Sequence, residues 1–136
     1  MKKLISLRHA ALGLLVILTL MLGFHLLILL GVIPYEIVWG GRMKTPEQMH
    51  KFELVSVVLN AVMLLVVSCK AGWLKIPLPA GIIKAALWMM FGLFLMNTVG
   101  NLASTNNVEK LVFTPLTLLL ELLTLRLALD TEEKAA

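Results

Sequence analysis

The sequence predicts an all-α protein, an antiparallel bundle of four transmembrane helices, on three observations. Of its 136 residues 60% are apolar and 15% charged, whereas a soluble domain stands nearer roughly half apolar and about a quarter charged. Mean hydropathy is accordingly high, at +0.94. The apolar residues gather into four long runs, approximately 10–33, 52–69, 82–99 and 111–129, each near the ~20 residues that cross a hydrocarbon core of about 30 Å. Helix breakers or polar tracts separate them: Pro34, then Ile76-Pro77-Leu78-Pro79, then Asn101 through Asn107. The length is that of about one domain, so 1–136 reads as a single membrane domain of four neighbour-to-neighbour helices.

The first run follows Lys2, Lys3 and Arg8 and so opens like a secretory signal. It extends well past the ~7–15 apolar residues of a signal and lacks a small-x-small cleavage site, which predicts a retained span. The second span is expected to start outside the membrane, near 46–51. There Thr45 can serve as N-cap, Pro46 as the first helical residue and Gln48 as the return arm of a capping box. Short connections then order the third and fourth spans.

Orientation follows from the sides on which basic residues fall. Lys2, Lys3, Arg8, Lys70, Lys75, Lys84, Arg126 and Lys134 flank one side, against Arg42, Lys44, Lys51 and Lys110 on the other. Both termini are therefore expected in the cytoplasm, in a multi-pass protein of the cell's inner membrane. The formal net charge of +4 is a set of topology signals and not a nucleic-acid stripe, because the basic residues flank apolar runs. One cysteine, Cys69, excludes an intramolecular disulfide or a two-thiol relay.

Polar residues inside the spans are the candidates for function, since lipid offers them no partner. At 100° per residue Glu53, Ser56 and Asn60 share an arc of about 60° on the second helix, and Thr114, Thr117, Glu121 and Thr124 share about 80° on the fourth. Asn97 and Asn101 lie one turn apart on the third, and His25 lies in the first. Counting the rise per residue puts His25, Asn60 and Glu121 all about 12–15 Å inside the outer face. These faces are expected to turn together around an outward-facing polar cavity lined by Glu53, Asn60, Asn97, Asn101, Thr114, Thr117, Glu121 and His25. Glu121 is the expected centre, because a carboxyl at that depth is costly unless protonated, paired or hydrated. On the outer side Glu36, Trp39 and Arg42 surround Gly40-Gly41 and could form a lid over the cavity.

Chemical motifs are scarce. Glu47-x-x-His50 is half of a di-iron signature, but no second copy exists. No Gly-x-Ser-x-Gly, His-Glu-x-x-His or phosphate loop is present. The expectation is therefore no enzyme, no cofactor and no metal site, but a small membrane protein that binds or transports a small polar or cationic solute. The alternative is a non-catalytic accessory protein that docks a partner membrane protein, its buried polar residues gluing helices together. Small-residue pairs such as Gly81/Ala85 and Gly100/Ser104 offer close-contact faces for a homo-oligomer, expected to be a dimer.

Overall fold

The computed structural model describes residues 5–37 and 43–130. They form four helices long and apolar enough to cross a membrane, and no strand occurs among the described residues. The helices are α1 (Leu7–Leu29), α2 (Pro46–Lys70), α3 (Ala80–Ala103) and α4 (Thr114–Ala128), the last reaching that length together with the wide π-helical turn at Glu109–Phe113 that precedes it, and a 3-10 turn lies at Tyr35–Ile37.

Local chemistry explains the ends. The Ser6 hydroxyl accepts from the His9 amide at the start of α1, and Thr45 does the same for Gln48 at the start of α2, each satisfying an amide that the helix leaves unpaired. Pro46 follows Thr45 at a first-turn position, as its sequence predicts. The return arm differs slightly: the Gln48 side chain accepts from the Lys44 amide, one residue before the cap. Gly31 and Gly72 close α1 and α2 with φ of 74° and 75°, a backbone state that glycine adopts without the steric cost of a Cβ.

Two boundaries depart from the sequence expectation. The first helix ends at Leu29, a turn before Pro34, because Gly31 supplies a left-handed stop earlier. The fourth apolar helical segment begins with the wide turn at Glu109–Phe113 directly before Thr114-Pro115. Pro115 has no amide to give the Leu111 carbonyl and its ring crowds that carbonyl, so a regular α-turn is disfavoured there. The Thr114 hydroxyl instead donates to the Glu109 carbonyl at 3.3 Å.

The packing is uneven. α1 lies closely along α2, α3 along α4, and α1 also meets α4, whereas α2 and α3 touch least of the consecutive helices. The main core joins Leu14 and Leu18 of α1, Val67 of α2, Leu87 of α3 and Leu120 and Leu127 of α4. Gly13 lets α1 come close to α4: a Cβ there would stand 3.0 Å from a Leu123 methyl. A smaller cluster at the other end gathers Ile28, Met43 and Met49 with Phe24 and Phe113 packed against it.

The start of α1 and the ends of α2 and α4 meet at one end of the molecule. There the Arg126 Nε donates to the Ile5 carbonyl at 2.9 Å, and Asp130 takes Lys70 at 3.2 Å and Arg126 at 3.8 Å. Arg126 points away from the polar arc of α4, yet it is buried, because the residues preceding α1 cover it. The outward surface of all four helices is apolar, with Leu20, Met89, Met96 and Leu111 each 69–76% exposed. Such a belt is far beyond what a soluble monomer leaves open.

Candidate functional site

At the end opposite the Arg126 cluster, the helices enclose a partly open cavity of about 300 Å³. Its walls are mainly apolar, with Met21, Phe24, Met63, Phe94 and Phe113 prominent. The Phe24 and Phe113 rings meet at 5.6 Å, joining α1 to the wide turn before α4. Into this frame project His25 from α1, Ser56 and Asn60 from α2, Asn97 and Asn101 from α3, Glu109 from the wide turn and Thr117 from α4.

The strongest polar contact is between helices. His25 Nδ1 lies 2.7 Å from Glu53 Oε2, with the Glu53 side chain fully buried and that of His25 14% exposed. A carboxyl on Nδ1 fixes the orientation of the imidazole. Nε2 has no partner among the described residues, and the ring lines the cavity. Glu53 thus stands behind the wall while His25 forms part of it.

Most other polar side chains are already bonded. Ser56 donates to the Phe52 carbonyl at 3.0 Å, and the Asn60 amide to the Ser56 carbonyl at 3.0 Å. Thr98 donates to Thr117 at 3.0 Å and Asn101 reaches the same hydroxyl at 3.4 Å, tying α3 to α4. Returning hydroxyls to the carbonyl one turn back is how helices in lipid satisfy them. Asn97 is different: it is exposed, lines the cavity, and its amide makes no hydrogen bond among the described residues.

Of the residues expected at a site, His25, Asn60, Asn97, Asn101 and Thr117 line this one cavity. Glu53 joins them through His25, and Thr114 is buried beside it without lining it. Glu121 does not line it. It is half-buried, and its enclosed Oε2 has no hydrogen-bond partner among the described residues. The geometry therefore pairs His25 with Glu53 where depth alone suggested Glu121. The reason is the early end of α1: counted from Leu29, His25 lies about 6 Å inside the helix end instead of about 12 Å, level with the first turns of α2.

Glu109 is the lining residue that the sequence reading passed over, because it sits before the expected fourth span. The Thr114-Pro115 pair was the available signal for a distorted turn, and such turns recur at functional sites. Glu36 is exposed in the 3-10 turn, while Trp39 and Arg42, with Gly40 and Gly41, lie outside the described residues. Glu47 pairs with Lys51 at 2.8 Å and His50 Nδ1 lies 2.7 Å from the Pro46 carbonyl. No three His, Cys, Asp or Glu side chains among the described residues come together to hold a metal ion.

The chain matches no protein-family model, no curated protein and no solved structure.

Proposed function

We propose that this chain is a multi-pass membrane protein, an antiparallel four-helix bundle that binds a small polar or cationic solute in the cavity beside His25. The observation that carries this reading is His25, whose Nδ1 is held by a fully buried carboxylate while its ring lines open space. A structural histidine needs no cavity, and a buried carboxylate is costly to keep unless it serves its partner. An imidazole so held presents Nε2 as a hydrogen-bond acceptor when neutral and as a donor when protonated. The bundle is inserted with its apolar belt in lipid, with both termini cytoplasmic at the end rich in Lys70, Lys75, Lys84 and Arg126, and it works as a homodimer. The test is binding of small tetraalkylammonium and uncharged amide solutes to purified protein in nanodiscs. Binding lost in His25→Leu with the fold retained supports the reading; binding unaffected by that change, or seen with no solute in the series, removes it.

A second reading has its own observation. Thr98 and Asn101 of α3 both bond to Thr117 of α4, as interhelical glue would. In that reading the chain is an accessory subunit that docks a partner membrane protein. Its signature is stoichiometric co-purification with one membrane protein, unaffected by His25→Leu.

A further inference from the structure

The mouth of the cavity lies on two helices. Leu59 of α2 and Asn97 of α3 line the cavity and are exposed, whereas its lining residues on α1, on the wide turn and on α4 are buried or half-buried. These are also the consecutive helices that touch least. The surface around the mouth is apolar, with Val62, Met96 and Val99 all at least half exposed. Asn97 is thus an amide set in a surface suited to hydrocarbon, where a polar group without a partner is costly.

We infer that the cavity opens sideways, between α2 and α3, into the bilayer, and that it takes an uncharged, membrane-dissolved molecule with one hydrogen-bonding end and an apolar body. The inference rests on the solute-binding reading above and narrows the solute. Among the described lining residues there is no Lys or Arg to hold an anion. A path through hydrocarbon disfavours a charged ligand of either sign. Among the described residues the Asn97 amide, a donor and an acceptor, and His25 Nε2 line the cavity without a hydrogen-bond partner, and either can hold a hydroxyl or a carbonyl. The rings of Phe24, Phe94 and Phe113 and the side chains of Met21 and Met63 surround an apolar body. The volume sits at the lower end of the roughly 300–1,000 Å³ usual for small-molecule sites.

Two photoactivatable probes distinguish the routes, applied to the full chain in nanodiscs with labelled residues mapped by mass spectrometry. One is dodecanol carrying a mid-chain diazirine, which partitions into lipid; the other is a water-soluble, diazirine-bearing tetraalkylammonium ion. The inference expects saturable dodecanol labelling of cavity residues such as Leu93 and Phe94. Excess unlabelled dodecanol competes it away, Leu59→Trp blocks it, and Asn97→Leu weakens it about three- to tenfold, the worth of one hydrogen bond. Both variants change exposed residues, so the fold tolerates them. Saturable labelling by the ammonium probe alone would overturn lateral access and the uncharged ligand while leaving the cavity a binding site. Labelling by neither probe, or only non-saturable labelling equal to that at Leu20 or Met96, would overturn both readings.

Discussion

His25 and Glu53 face each other across α1 and α2 at 2.7 Å, the carboxylate fully buried. Removing one member of a buried pair typically costs about 3–5 kcal/mol. Glu53→Leu is therefore expected to lower stability by about 3 kcal/mol, and His25→Leu to cost markedly less in the Glu53→Leu background than in the native chain. Chemical denaturation in mild detergent measures this, and simply additive losses would show that the two side chains do not depend on each other. Glu121 is expected to behave oppositely. Its enclosed oxygen has no hydrogen-bond partner among the described residues, so Glu121→Leu should leave stability within about 1 kcal/mol or raise it. If Glu121→Gln instead abolished solute binding while His25→Leu did not, the site would belong on α4 away from the cavity.

At the scale of elements, the wide turn before α4 positions Glu109 and Phe113 on the cavity wall. Pro115→Ala restores an amide to the Leu111 carbonyl and removes the ring clash. The expected result is a regular helix through Glu109–Phe113, greater thermal stability and weaker solute binding, read from melting curves and binding isotherms on the same preparation. A gain in stability with binding unchanged would mean that the turn does not shape the site. The four long apolar helices and the cap at Thr45 were legible in the sequence because composition and local hydrogen bonding decide them. Two things were not. The end of α1 depended on a choice between Gly31 and Pro34, and that choice moved His25 by one turn. Which carboxylate His25 meets depended on which helices lie side by side, and no periodicity within a single helix encodes that. His25, Asn60, Asn97, Asn101 and Thr117, expected to turn together, line one cavity, whereas Thr114 and Glu121, on the same arc as Thr117, do not.

On the scale of the whole molecule, an apolar belt surrounds a bundle joined differently at its two ends: by charge at Arg126, Lys70 and Asp130, and by His25, Glu53 and the Phe24–Phe113 contact at the other. Arg126→Ala takes the donor from the Ile5 carbonyl and leaves Asp130 with Lys70 alone. The expected loss is about 1–3 kcal/mol, with faster proteolysis ahead of α1 and no change in solute binding; a binding loss would mean that the two ends are coupled. The central claim is that the cavity beside His25 is open to small molecules, and cysteine reactivity tests it most directly. In a Cys69→Ser background, Asn60→Cys and Thr98→Cys place thiols at two similarly buried positions, of which only Asn60 lines the cavity. Methyl methanethiosulfonate is small and uncharged, and it reacts with a thiolate only where the thiol is reached and can ionise. Reaction at Asn60→Cys many times faster than at Thr98→Cys is the predicted result, and equal, slow reaction at both would contradict it.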